Sequence, residues 1–256
     1  MRTPFFIKAF SVVAGLLLSC AASQGQATAE LITKGDAFDK RFQAKEALDF
    51  YLPAEKLEPK NVPLLLRIAR QYRHLMADAS RKEEKLRLGA KAMDYAKRGA
   101  SLAPNDSEAQ LSVAITYGKM LPLKPSKEQM EGSRKIKEGA ERAIRLDSGN
   151  DLAWHILGRW HLVMADVGMV KRALAQLVYG KLPSASNEEA VKCFERAIAI
   201  NPNRLMHHVE LGRTYAQMGR KAEARRFISK GLAMPSTEKD DPDTKRRGRE
   251  ILATLR

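Results

Sequence analysis

The side chains able to do chemistry are few in this sequence and poorly spaced for it. Five histidines occur, His74, His155, His161, His207 and His208, and no two stand at the i, i+4 spacing that places a ligand pair on one helix face. No HExxH, G-x-S-x-G or CxxC is present, and no glycine-rich loop follows a strand pattern to cradle a phosphate. The two cysteines, Cys20 and Cys193, are too few for a disulfide scaffold or a cysteine-rich metal site. Cys193 falls within the amphipathic stretch NEEAVKCFERAIAI, where a small buried apolar residue is a simpler reading than a reactive thiol. The expectation is therefore no catalytic residue, no metal ligand and no cofactor. The alternative is an enzyme or small-molecule binder with a pocket near His155 and Arg159.

The chemistry that the residue types do support is recognition of negative charge. Lys and Arg number 45 against 30 Asp and Glu, a formal net charge of +15, and the planar guanidinium fork pairs bidentately with carboxylates. Whether these charges converge depends on the elements that carry them. With 44% hydrophobic residues in 256, the chain is long enough to bury a substantial core.

Those elements repeat. Helix-turn-helix grammar of the 34-residue tetratricopeptide kind is clearest near the C-terminus and extends backwards over residues 28–238. It gives five units, 28–61, 62–106, 107–150, 151–204 and 205–238. At the eighth position of each stand Gly35, Ala69, Ala114, Gly158 and Gly212, and three positions later Phe38, Tyr72, Tyr117, His161 and Tyr215. The second helices carry Ala47, Ala92, Ile136, Ala190 and Ala224, then Ala54, Gly99, Ala143, Ala197 and Gly231. His161 replaces an aromatic and reads as a packed imidazole, and Trp154 reads as a seam filler. The expected fold is all-α, a tetratricopeptide-like solenoid of helical hairpins wound as a right-handed superhelix with a concave inner face.

First-helix positions five, nine, twelve and thirteen are expected to face inward. They place Arg70, Arg73, Lys119, His155, Arg159 and Arg213 in a groove that is basic along its length, apolar at its floor and acidic at its N-terminal end. Such a groove suits a protein or peptide partner of acidic character. The competing reading is that these arginines solvate a helix face or pair with acids of neighbouring repeats. Nucleic acid is disfavoured, because the basic runs are broken by Glu83, Glu84 and Glu138 and the aromatics fall in packing columns.

The rest of the chain departs from the repeat. Holding register requires insertions in the middle units, and the longest, about 166–186, carries Val170, Ala173, Leu174, Leu177 and Val178 at helical spacing, an extra docked helix. Residues 239–256 read as a C-terminal capping helix. Residues 1–27 have the layout of an export signal, with Leu17-Leu18-Ser19-Cys20 as a lipoprotein-type processing alternative through Cys20. Membrane contact is expected only through that lipid or an uncleaved N-terminus.

From Asn150 to Leu255 the sequence resembles the regulator-of-microtubule-dynamics family. The resemblance rests on WHILGRW (154–160), the insertion ending YGKLPSAS (179–186), EEAVKCFERAIAINP and the closing GLAMPSTEKDDPD, in that order. It implies a tetratricopeptide-like protein that works by protein binding, associated in animals with microtubules, spindle poles and mitochondria. Combined with the N-terminal segment, the expectation is a bacterial, exported member, a non-enzymatic scaffold in the periplasm or attached to a membrane. The alternative is a microtubule- or organelle-associated regulator, at the cytoskeleton or mitochondrion, as in animals.

Overall fold

The computed structural model describes residues 25–166 and 184–255. The export signal, Cys20 and most of the 166–186 insertion lie outside the described residues. Within them the chain is all-α, and no strand occurs. Helix α1 covers residues 25–39. It is followed by α2 (Ala44–Leu57), α3 (Val62–Asp78), α4 (Lys82–Leu102), α5 (Ser107–Met120) and α6 (Ser126–Leu146). Then come α7 (Asp151–Ala165), α8 (Asn187–Ile200), α9 (Leu205–Gln217), α10 (Lys221–Ala233) and α11 (Asp241–Thr254).

The helices pack as consecutive pairs, α3 with α4, α5 with α6, α7 with α8 and α9 with α10, each pair resting on the next. The first helices of successive pairs, α3, α5, α7 and α9, also touch one another and form an inner layer. Helix α11 closes the C-terminal end against α9 and α10. The extra residues of the two middle units at 76–85 and 121–130 are shared between helix ends and short connections, with α4 and α6 each 21 residues long.

Local signals start the inner helices. Asn61, Asp106 and Asn150 stand immediately before α3, α5 and α7, and each side chain accepts a hydrogen bond from the backbone N–H three residues on, at Leu64, Ala109 and Ala153. Each satisfies a donor that the helix start leaves open. The fourth equivalent, Arg204, cannot accept and instead donates to Asp151.

Packing within the pairs depends on the small-residue columns. Ala69 and Ala114 are buried, as are Ala47, Ala92, Ala190, Ala224, Ala54, Ala143 and Ala197 on the facing helices. At Gly212 a β-carbon would stand 2.8 Å from the backbone nitrogen of Ile228 and 3.0 Å from the carbonyl oxygen of Ala224, so the main chains of α9 and α10 are nearly in contact. The aromatic column flanks this crossing: Phe38 stacks on Phe50, Tyr72 on Tyr95 and Tyr215 on Phe227, with centroids 5.4, 5.8 and 5.6 Å apart. His161 is buried and meets Trp160 edge-on. The buried tryptophan is Trp160, whose Nε1 donates to the Ser133 carbonyl at 2.9 Å. Trp154 is only half-buried and its Nε1 donates to the Ser148 carbonyl at 3.0 Å, a tie to the preceding turn.

Substituting Gly212→Ala should lower stability in urea unfolding by about 1–3 kcal/mol, because backbone cannot give way as a flexible side chain can. Gly118→Ala is the control. A β-carbon there meets nothing nearer than 3.9 Å, and the helix gains about 0.5–1 kcal/mol from losing a glycine. Equal effects at the two positions would contradict the close-approach account.

Candidate functional site

The inner helices bring most of the basic column together, with differences from the sequence expectation. Arg70 on α3 and Arg159 on α7 are exposed, and Lys119 on α5 and Arg213 on α9 are half-buried. Val163, 49% exposed, adds an apolar surface one turn beyond Arg159. Arg73 and His155, expected to line the groove, are instead buried at 7% and 3% exposure, as are Leu111, Leu162 and Val209. Positions five and twelve fall largely in the seam where one inner helix meets the next, whereas Arg70 and Arg159 at position nine and Val163 at position thirteen are exposed. Neither Arg73 nor His155 presents its head group to a partner.

Several basic residues are already paired across the helices. Arg70 bonds Asp39 of α1. Asp36, the acidic residue expected at the N-terminal end of the groove, holds Arg67 at 2.8 Å and the Tyr51 hydroxyl at 2.5 Å. Arg213 lies 3.4 Å from Glu210, a carboxylate 2% exposed that also faces Arg247 at 3.7 Å. Lys119 meets Asp240 at 2.6 Å. Arg159 has no hydrogen-bond or ion-pair partner among the described residues. Some of the arginine column thus stitches repeats together, while Arg159 is exposed and without such a partner among the described residues.

Arg73 donates to Ser112 Oγ at 3.0 Å and Thr116 Oγ1 at 3.2 Å, with no carboxylate at ion-pair distance among the described residues. Burial, with the nearby Arg70, pulls its guanidinium down to about 10, against the opposing pull of Asp240 and Glu108. His74, one residue on, is pulled down to about 4, chiefly by burial, and its Nδ1 is buried without a partner. A cation and an imidazole thus sit beneath the groove with little counter-charge of their own.

A polar cluster that the sequence did not single out joins the last two inner helices. His207 Nε2 lies 2.8 Å from Asp151 Oδ2, and Arg204 donates to the same oxygen at 2.7 Å. His155 Nδ1 and His207 Nδ1 are 2.9 Å apart. With His207 donating from Nε2 to the carboxylate, its Nδ1 accepts and His155 donates, so both rings are neutral. Burial pulls both imidazoles down, for His155 reinforced by His207 and Arg159. Asp151 at the first turn of α7 and the His207-His208 pair were the available signal, but they are separated by 56 positions.

No group of three or more His, Cys, Asp or Glu among the described residues is placed to hold a metal ion. Cys193 is buried and its thiol is pushed up to about 12 by that burial, which keeps it unreactive. His155 does not line either of the two clefts found around α4, α5 and α6 among the described residues. One of them, of about 420 Å³, is lined by Asp94, Lys97, Tyr117, Glu131 and Lys135. No described helix is long and apolar enough to cross a membrane.

Comparison with known proteins places this geometry. The family model for regulator of microtubule dynamics protein 1-3 matches residues 29–256, far more of the chain than the C-terminal segments suggested. Regulator of microtubule dynamics protein 1 of mouse is 28% identical over 200 residues, which are 77% of this chain and 66% of that protein, just under two thirds of its length. The orangutan protein of the same name (Pongo abelii) is 26% identical over 258 residues, 94% of this chain and 82% of its own. A thermophilic tetratricopeptide protein from Thermus thermophilus superposes with a TM-score of 0.63 over 88% of this chain and 99% of its own, at 16% identity, which speaks to the fold alone. The matched relatives include proteins of mouse, orangutan, cattle and human. This overturns the expectation of a bacterial, exported member located in the periplasm or on a membrane lipid anchor.

The depressed histidines make stability depend on pH. Below about 6.5 the unfolded chain takes up protons that the folded chain refuses, so stability falls as pH drops, for His74 down to about 4. Replacing His74→Leu should reduce the loss between pH 6.5 and 5 by about 1–2 kcal/mol in urea unfolding, since the buried Nδ1 has no bond to lose. An unchanged slope would contradict a neutral, buried His74.

Proposed function

This chain belongs to the regulator of microtubule dynamics protein 1-3 family, and from that premise we propose that it regulates microtubules as a non-enzymatic, protein-binding scaffold. Its concave face receives an acidic segment of a microtubule protein. Arg159 supplies the free guanidinium, Lys119 and Arg213 the flanking positive charge, and Val163 an apolar contact. The observation that carries this reading is the exposed Arg159 at the middle of the inner layer, without a partner among the described residues and next to a large exposed aliphatic side chain. Exposed arginine is suited to the task because its fork is preorganised for a carboxylate and is weakly hydrated. The buried Arg73 and His155 support the face from beneath by joining inner helices.

The microtubule enters this reading from the name that the relatives carry, and the acidic character of the bound segment from the charge of the face. Charge of this kind acts first on encounter rate and selection of partner, so binding should weaken as salt rises.

Reversing charge at Arg159→Glu and Arg213→Glu together should reduce co-sedimentation with polymerised tubulin at least tenfold while leaving the helical circular dichroism unchanged. Undiminished pelleting of the double variant would reject the concave face as the contact. Failure of the unaltered chain to pellet would reject the microtubule as the partner.

A further inference from the structure

One segment of the chain itself crosses the concave face. Residues 235–240 connect α10 to α11 through an extended stretch and a bend rather than a tight reverse turn. Asp241, 1% exposed, holds the bend: its Oδ2 accepts from the backbone N–H groups of Thr237 and Glu238, both at 2.8 Å. The bend then presents three successive charges, and each meets its opposite on a different inner helix. Glu238 Oε1 is 3.3 Å from Arg204 Nη2 at the start of α9. Lys239 Nζ is 3.0 Å from Asp78 Oδ1 at the end of α3. Asp240 Oδ2 is 2.6 Å from Lys119 Nζ on α5.

Asp240 stands against positive charge on the inner helices. Burial pushes its carboxyl up, but positive charge led by Lys119 and including Arg159 outweighs that and holds it below the ordinary carboxylate range. Lys119 and Arg159 come from α5 and α7. The same carboxylate also acts on buried Arg73 from above. Asp240 is thus the counter-charge of the centre of the face, although its own side chain is still half-exposed, at 50%. A carboxylate from a partner would find that position taken.

We propose that Asp240 is a built-in substitute for the partner's carboxylate, seated on Lys119 among the cations Arg73 and Arg159, and that an acidic protein segment binds there by displacing it. This rests on the concave face being the binding surface. The chemistry suits exchange. Each contact of the strap is a solvent-accessible ion pair, which holds weakly and is replaced without leaving a buried charge bare. A site that is open only part of the time binds with an affinity reduced by the open fraction, so releasing the strap raises affinity by the reciprocal of that fraction.

The test uses a fluorescein-labelled oligoglutamate peptide and the full chain, read by fluorescence polarisation. The double variant Glu238→Gln with Asp240→Asn should bind about fivefold to tenfold more tightly than the unaltered chain. Simple charge change would act in the same direction, so a second variant separates the two causes. Lys239→Gln removes the tie to Asp78 and also one positive charge. General electrostatics predicts weaker peptide binding, whereas release of the strap predicts tighter binding. Circular dichroism and melting temperature check that each variant is folded. Tighter binding by both variants supports displacement. Equal or weaker binding by Lys239→Gln, with peptide binding still abolished by Arg159→Glu, overturns the strap and leaves the groove standing. No binding of the peptide to any variant overturns both, and leaves residues 235–240 as a structural tie alone.

Discussion

The distance at which two helices of a pair can cross is the constraint on which the rest depends. Where Gly212 faces the backbone of Ile228 and Ala224, there is no room for even one carbon, and the equivalent alanines elsewhere are fully buried. Ile228 packs directly against this crossing, fully buried. Aromatic pairs flank it, one member from each helix. That geometry, repeated, sets the inner helices side by side, with Arg70, Arg159 and Val163 left exposed on them. The proposed contact face is therefore a consequence of packing and not an addition to it.

The excess of positive charge divides among three tasks. Some cations lie over aromatic rings outside the groove, such as Arg98 over Tyr95, Lys135 over Tyr117 and Arg220 over Tyr215. Others join repeats through carboxylates or hydroxyls, as Arg70 does with Asp39 and Arg73 with Ser112 and Thr116. A smaller group, with Arg159 at its centre, faces the open side. The net charge alone says nothing about this division. Arg159 is one of several described cations without a partner, and what sets it apart is its exposed place on an inner helix beside Val163; an acidic residue placed among such cations gains meaning in the same way.

Much of the fold was legible in the sequence because the signals are local and periodic. The Gly and Ala columns from Gly35 to Gly212 and the aromatics three positions later recur at fixed spacing, and a helix converts fixed spacing into a face. The groove was legible only in part. Position nine at Arg159 projects outward, but Arg73 at position twelve and His155 at position five turn into the seam between inner helices, which depends on how far one pair is rotated on the next. The link between His155, His207 and Asp151, and that between Lys119 and Asp240, were not legible at all. The second joins residues 121 positions apart through a linker that has no periodicity to read. The origin and location read from the N-terminal segment were overturned by the animal relatives, whose family likeness runs along nearly the whole chain from residue 29.

The central claim is that the inner helices, not the outer ones, meet the partner. Hydrogen exchange of the full chain with and without polymerised tubulin measures this directly. The account predicts slower exchange on α5, α7 and α9 around Lys119, Arg159 and Arg213, with α4 and α6 unchanged. Protection confined to the α4–α6 side, around Lys97 and Lys135, would contradict it.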